Sequence, residues 1–235
     1  MRPIIRKLQN YWRHSPPIGM VRFGSLRRVK PISDVFGFDR GQPIDRYYIE
    51  KFLAERADDI CGRVLEVADP EYTRKFGGGR VVRSEVLHAA AGHSAAALVG
   101  DLVTGSGIPK DAFDCIILTQ TLQVIYEIQR AVITTHRALK PGGVVHATFS
   151  GISPISRYDM ARWGEYWRVT DKAAQRLFAD IFGEANVEVR TFGNVLAACA
   201  FLHGLSAHEL RAHELDVHDP NYQVTIAVRA VRRAG

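Results

Sequence analysis

The sequence predicts a doubly wound α/β fold built on a mostly parallel sheet of seven strands. Two observations carry this. Short runs rich in Val, Ile and Leu alternate with helix-period segments along the 235 residues. One of the runs, Phe113-Asp-Cys-Ile-Ile-Leu, is almost unbroken in apolar residues, as a strand covered on both faces must be.

The elements follow in order. Residues 31–43 are crowded with Pro, Gly, Asp and Ser and read as an ordered loop. Asp45 is placed to cap a helix from Arg46 to about Ile60, with Tyr48, Phe52, Leu53 and Ala57 near one face. Strands are expected at 63–68, 80–86, 96–100, 113–118 and 144–149. A helix is expected over 122–139, stopped by Lys140-Pro-Gly-Gly. Another runs from Asp171 to Phe182, with Thr170 or Asp171 as its cap. The last strands are 187–192 and 224–231, and a helical insert lies near 195–215 between them.

Composition narrows the class. Apolar residues make up 46% and charged residues 24%, ordinary globular usage. Mean hydropathy is −0.09, and no apolar run approaches the ~18 residues of a membrane span. The start is basic, but no long apolar segment follows it, so no secretory signal is expected. Cys61, Cys115 and Cys199 are odd in number and far apart, which fits a reducing cytoplasm and gives no zinc spacing. Charge is uneven: residues 1–30 hold eight Lys and Arg and no acid, leaving 23 basic against 25 acidic residues in 31–235. The chain therefore divides into a basic N-terminal arm, 1–30, and a near-neutral body, 31–235. Such an arm suits nucleic acid, an anionic lipid surface or an acidic substrate, or is simply solvated. Tyr11, Trp12 and Phe23 suggest that part of it docks on the body.

In an open α/β sheet, ligands bind beyond the carboxyl ends of the strands, where strand order reverses. The expected strand ends are Glu66-Val-Ala-Asp, Ser84-Glu85, Gly100-Asp101-Leu102 and Thr119-Gln120. An acid after the second strand, here Glu85, can accept both hydroxyls of a ribose. Asp101 can accept from an adenine amino group, with Leu102 donating its backbone N–H. The alternative for each acid is a helix cap or a solvated side chain.

The stretches Arg63-Val-Leu-Glu-Val, Gly100-Asp-Leu-Val, Ile108-Pro-Lys-Asp-Ala-Phe-Asp-Cys-Ile-Ile-Leu and His136-Arg-Ala-Leu-Lys-Pro-Gly-Gly-Val-Val resemble the class I S-adenosylmethionine-dependent methyltransferases of the broad type 11 group. Trp163-Gly-Glu-Tyr-Trp-Arg-Val-Thr and Phe36-Gly-Phe-Asp-Arg-Gly-Gln-Pro-Ile-Asp-Arg-Tyr-Tyr resemble a bacterial subgroup linked with glycan or secondary-metabolite pathways. The resemblance implies a Rossmann-like methyltransferase fold with an antiparallel C-terminal strand. It implies S-adenosylmethionine as cofactor and S-adenosylhomocysteine as product. Glu66, Ala68, Tyr72, Glu85, Asp101, Leu102, Thr119 and Gln120 would form the cofactor site. The sequence departs from the family at its first motif, usually a strand followed by Gly-x-Gly-x-Gly: Ala68, Pro70 and Tyr72 stand at the glycine positions. Either Gly77-Gly78-Gly79 with Tyr72 and Arg74 builds a different floor, the arginine pairing the cofactor carboxylate, or the cofactor has been lost.

Methyl transfer from a sulfonium is an in-line displacement that needs alignment more than activation. A hydroxyl acceptor also needs a base. His146, within a strand, and His203, in the helical insert, are the candidates, and His88 would face the ribose instead. Gln123, Tyr158, Trp163, Tyr166, Trp167 and Arg168 form the expected acceptor side, suited to a sugar, a planar ring or an acidic group. Trp163 and Trp167 would alternatively pack as one helix face. The expected acceptor is a small molecule, with a sugar or natural-product hydroxyl as the methylated group. A nucleic-acid substrate is disfavoured, because Leu118-Thr-Gln-Thr-Leu-Gln replaces the Asn/Asp-Pro-Pro-aromatic segment of base-amino methyltransferases. A binding module without catalysis is the rival reading. No clustered carboxylates call for a metal, and a homodimer stays open.

Overall fold

The computed structural model describes residue 16 and residues 20–89 and 98–233. Most of the basic arm, including Tyr11 and Trp12, and Ala96 and Ala97 of the third expected strand lie outside the described residues. The chain forms two compact units, Met1–Ile32 and Ser33–Gly235. In the first, Gly24–Leu26 makes one 3-10 turn.

The second unit holds the sheet. Its strands are β1 (Gly62–Val67), β2 (Val81–His88), β3 (Leu98–Val99), β4 (Phe113–Thr119), β5 (Leu139–Ser150), β6 (Val187–Phe192) and β7 (Thr225–Val231). Their order is β3-β2-β1-β4-β5-β7-β6. Strands β1 to β5 pair parallel, while β7 lies antiparallel to both β5 and β6. The chain thus winds outward from β1 to β3, returns to the other side of β1 for β4, and reverses its winding there. The expected doubly wound sheet and its antiparallel C-terminal strand are both present.

The apolar run of β4 is used on both faces. Ile116 and Leu118 join Leu65, Phe149, Phe178 and Phe182 on one side. Cys115 and Ile117 join Val64, Tyr48, Phe52 and Phe201 on the other. The first layer is covered by α2 (Ile128–Ala138) and α4 (Asp171–Phe182), the second by α1 (Ile44–Glu55) and α5 (Val195–Leu202). A short α3 (Arg157–Arg162) follows β5, and α6 (Ala212–Asp216) follows α5.

Several boundaries differ from the sequence reading. Helix α1 starts at Ile44 behind Pro43, so Asp45 lies inside its first turn, and a 3-10 turn at Ala57–Asp59 ends the segment. The helix expected over 122–139 is broken. A 3-10 turn spans Leu122–Val124, and α2 begins only at Ile128. The carbonyls of Gln123 and Ile125 are taken by Tyr166 N–H, Trp167 N–H and the Trp167 indole, at 2.9, 3.3 and 3.0 Å. A helix continuing from 122 would need those carbonyls itself. Strand β5 begins at Leu139, so Lys140-Pro-Gly-Gly lies within its span. Thr170 caps α4 as expected, accepting from Ala173 N–H.

His146 sits in mid-β5, fully buried, edge-on to the Phe52 ring. Its Nε2 lies 3.2 Å from the Asp59 carboxylate, which Arg229 grips at 2.7 and 2.9 Å. Arg229 is the register partner of His146 on β7, so Asp59 ties α1's exit to both strands. Burial pushes the Asp59 carboxyl up, but Arg229 and His146 more than offset this and hold it well below the ordinary carboxylate range. Burial lowers the His146 pKa below 6.5, with Asp59 offsetting only part of the shift. The unfolded chain therefore takes up this proton first. The neutral histidine's contribution is complete above about pH 6.5 and is lost as pH falls from there through the lower folded value. His146→Gln should flatten the decline in unfolding free energy between pH 7 and 5. Denaturant titrations across that range check it, and an unchanged slope contradicts it.

Candidate active site

The winding reversal places two strand ends side by side, β1 at Val67 and β4 at Thr119. Each is followed by a non-glycine residue in the left-handed region: Ala68 at φ 76° and Gln120 at φ 51°. Such backbone costs on the order of 1 kcal/mol for a residue with a Cβ, and it clusters where function holds it. Ala68 thus keeps the left-handed turn that a glycine would take. Its N–H is held by the Leu87 carbonyl at 3.2 Å, and Gln120 N–H by the Thr148 carbonyl at 3.1 Å.

Beyond the ends of β4 and β5 lies a cavity of about 610 Å³. Its wall includes Gln120, Gln123 and Ser150 at the strand ends, Asp45 and Arg46 from α1, and Tyr158 and Asp159 from α3. The strand-end groups are mutually fixed. Ser150 N–H donates to Gln123 Oε1 at 2.9 Å, Gln123 Nε2 to Ser150 Oγ at 3.2 Å, and Ser150 Oγ to Gln120 Oε1 at 2.8 Å. Gln120 Nε2 is buried, with no partner among the described residues. A buried amide donor left unsatisfied is costly, so this one is suited to a ligand oxygen.

The opposite wall is the loop at Asp34, Val35, Phe36 and Phe38. Ser33 Oγ organises it, accepting from Val35 and Gly37 N–H and donating to Asp39 at 2.6 Å. The helical insert anchors it. Ser33 N–H donates to the His203 carbonyl, Ala207 N–H donates to the Gln42 carbonyl, and Phe36 packs on Phe201. Gly37 (φ 86°) passes so near that a Cβ would meet the Leu205 carbonyl oxygen at 2.9 Å. His203 therefore supports the cavity wall through its backbone and is not among the cavity-lining residues. The ring of His146, fully buried behind the sheet surface, does not line it either.

The first motif is rebuilt. Buried Glu66 accepts from Tyr72 N–H, Thr73 N–H and Thr73 Oγ at 3.0, 2.8 and 2.6 Å, capping a helical segment that runs into a π-helical turn at Thr73–Gly77. Tyr72 points into the core, stacks on Phe76 and receives a 2.5 Å bond from Arg46 Nη1. Burial raises its hydroxyl to about 12, so it is neutral at pH 7. The expected glycine floor is not formed. Gly78–Arg80 is a turn leading into the amino end of β2, away from the strand ends that make the site, and Arg74 is an exposed side chain outside the cavity lining.

Glu85 was expected at the end of the second strand, but β2 runs three residues further, to His88. Its buried carboxylate is bonded by Arg63 Nε and Nη2 at 2.9 and 3.1 Å and by Arg83. It is satisfied within the sheet. Asp101 ends the β3 segment in a tight turn, accepting from Val103 N–H at 2.7 Å and Thr104 Oγ1 at 3.1 Å, and Leu102 packs in the core. Thr119 ends β4, its carbonyl accepting from Thr121 Oγ1.

The acceptor-side residues separate into two groups. Gln123 and Tyr158 line the cavity, and Arg162 lies 3.4 Å over the Tyr158 ring. Trp163, Tyr166, Trp167 and Arg168 lie outside the lining, in the non-helical stretch after α3. Tyr166 and Trp167 pack on Tyr126, and Arg168 bonds Glu165 and the Pro154 carbonyl at 2.6 and 2.8 Å. The alternative of one tryptophan helix face does not hold either, since α3 ends at Arg162. Asp45, Arg46 and Ser150 line the cavity too, a placement that the sequence reading did not anticipate. Among the described residues, no group of three or more His, Cys, Asp or Glu is placed to hold a metal ion.

Comparison with known proteins agrees with this fold. Residues 61–147 match the family described as Methyltransferase domain. The fold is the Rossmann-like fold of the class I methyltransferases. Its fold is similar to that of a SAM-dependent methyltransferase from Mesorhizobium loti, at 18% identity and TM-score 0.52 over 83% of this chain and 100% of that one. It is similar to one from Archaeoglobus fulgidus, at 10% identity and TM-score 0.52 over 79% and 94%. It is also similar to the N-methyltransferase NodS of Bradyrhizobium japonicum, solved with S-adenosyl-L-homocysteine, at 12% identity and TM-score 0.51 over 88% and 96%. Among curated proteins no sequence match is found.

Placing Glu85 in the sheet has a measurable consequence. Glu85→Gln strands the half-buried Arg63 and should lower unfolding free energy by about 2–3 kcal/mol. Adding Arg63→Gln should recover part of that loss, as a double-mutant cycle by denaturant unfolding would show. Strictly additive losses would contradict the pairing.

Proposed function

We propose that the protein is an S-adenosylmethionine-dependent methyltransferase acting on a small-molecule acceptor, with a sugar or natural-product hydroxyl as the methylated group. One observation supports this above the others. The cavity opens beyond the carboxyl ends of β4 and β5, beside the left-handed residue Gln120 and its unsatisfied amide. A doubly wound sheet binds its ligand beyond the carboxyl ends of its strands.

The residues fit the cofactor, although in an altered way. The Ala68 turn preserves close backbone approach at β1. Asp101 and Leu102 are the groups that would meet the adenine, and Gln120 the group between adenosine and acceptor. When bound, the sulfonium supplies an activated methyl group. The chain's own task is then to align the acceptor, shed its water and take its proton. At about 610 Å³ the cavity has the size of a small-molecule site. Asp34 and Asp159 line it with carboxylates that no described residue engages, and these replace His146 and His203 as proton acceptors. Cys61, Cys115 and Cys199 are all free thiols, in keeping with a reducing cytoplasm. Among the described residues no helix is long and apolar enough to cross a membrane.

The rival reading, a binding module without catalysis, is favoured by Glu66, which consumes the N–H groups of Tyr72 and Thr73. Calorimetric titration with S-adenosylhomocysteine separates the two. The methyltransferase reading predicts saturable one-to-one binding, weakened by about 1–3 kcal/mol in Asp101→Ala through loss of an acceptor. No binding heat with the wild-type chain would overturn it.

A further inference from the structure

We propose that the basic N-terminal arm, residues 1–30, docks the protein on the surface of an anionic lipid bilayer, its apolar side chains entering the headgroup boundary and its cations meeting the lipid phosphates. The inference is independent of the methyltransferase reading, because it uses no residue of the sheet or of the cavity.

Exposure is the first observation. In the body, large apolar side chains fill two buried layers, one on each side of the sheet. The described part of the arm has no such layer. Met20, Val21 and Phe23 are each about half exposed, Val29 is fully exposed, and the 3-10 turn at Gly24–Leu26 buries no residue. Single exposed apolar residues are ordinary on a protein surface, but several in one short stretch mark a surface that a partner covers. The cations of the same stretch, Arg22, Arg27, Arg28 and Lys30, are exposed as well, and no ion pair among the described residues engages them.

The second observation is in the sequence. Ile4, Ile5, Leu8, Tyr11 and Trp12 recur at i, i+1, i+4, i+7 and i+8. At helical pitch that spacing makes one apolar face about 120° wide, and Arg2, Arg6, Lys7 and Arg13 fall outside it. These positions lie outside the described residues, and the periodicity is a property of the sequence. A basic segment with one apolar face that carries a tryptophan has the composition of a segment that lies in a membrane interface.

Charge selects the partner. Eight Lys and Arg with no acid in residues 1–30 favour an anionic surface, while 31–235 is near neutral. Nucleic acid would take the cations on its phosphates and the aromatic rings on its bases, but it offers the aliphatic side chains of Ile4, Ile5, Leu8, Met20 and Val21 no comparable burial. A bilayer takes all three kinds. Its acyl boundary receives the aliphatic groups, Trp and Tyr rest at headgroup level, and anionic headgroups hold the cations. No apolar run in 1–30 is long enough to span a bilayer, so the contact is with its surface.

The test is co-sedimentation of the full chain with vesicles at about 0.15 M salt, where attraction between distant charges is screened. Vesicles of phosphatidylcholine mixed with phosphatidylglycerol should pellet the chain, and vesicles of phosphatidylcholine alone should not. Trp12→Ala combined with Phe23→Ala keeps every cation and should weaken binding to the anionic vesicles at least tenfold. Arg6→Gln, Lys7→Gln and Arg13→Gln together keep every apolar residue and should weaken it by at least as much. The chain has three tryptophans, Trp12, Trp163 and Trp167. Anionic vesicles should shift its tryptophan emission to the blue, and Trp12→Phe should abolish that shift. A chain left in the supernatant by anionic vesicles overturns the proposal, and binding of a single-stranded RNA oligonucleotide at the same salt would then make the arm a nucleic-acid contact. Equal pelleting by both kinds of vesicle overturns it. So does an apolar double variant that binds like the wild type, which leaves attraction of charge alone. A blue shift undiminished in Trp12→Phe also overturns it, since the contact then lies at Trp163 or Trp167.

Discussion

The site depends on the reversal of winding between β1 and β4. The backbone must leave one strand end toward β2 and the other toward β5, so the two neighbours diverge, which is the arrangement that leaves a crevice in a doubly wound sheet. Both departures use left-handed backbone, at Ala68 and Gln120, where side chains are ordinarily disfavoured. That conformation persists because the surroundings fix it: Ala68 N–H is held by β2, and Gln120 by Thr148 and Ser150 of β5.

Around this crevice, hydrogen bonds and charges are distributed unevenly. Glu66 caps the segment after β1, and Glu85 is locked between Arg63 and Arg83. The acids that a glycine-rich first motif and a ribose site would free for a ligand are here structural. On β4, Gln120 Nε2 is left without a partner among the described residues, and Asp45 and Arg46 of α1 line the cavity beside it. The helical insert takes part by bracing the loop at 33–43 through the His203 carbonyl and Ala207 N–H.

Most of the fold was legible in the sequence because a parallel strand buried on both faces writes its position as an apolar run, as β4 does. The boundaries missed were those set by contacts distant in sequence. Nothing near Ile125 announces that Trp167 will take its carbonyl and break the helix. Likewise Ser84-Glu85 looks like a strand end, yet Val86 and Leu87 continue β2 into the core, and only the Leu65–Glu85 register brings Glu85 beside Arg63. The site was legible in part. Gln120, Gln123 and Tyr158 could be placed because they follow strands at the sheet's carboxyl edge. Asp45 and Arg46 could not, because a charged pair in a first helical turn looks the same in sequence whether it faces water or a cavity. The departure of Ala68, Pro70 and Tyr72 from glycine was the one available signal that the segment after β1 is built differently.

A crystal structure of the full chain with S-adenosylhomocysteine tests the central claim most directly. The account predicts adenosyl density in the crevice between Ala68 and Gln120, with the sulfur turned toward the cavity. Density elsewhere on the molecule, or side chains filling the crevice after soaking at saturating ligand, would contradict it.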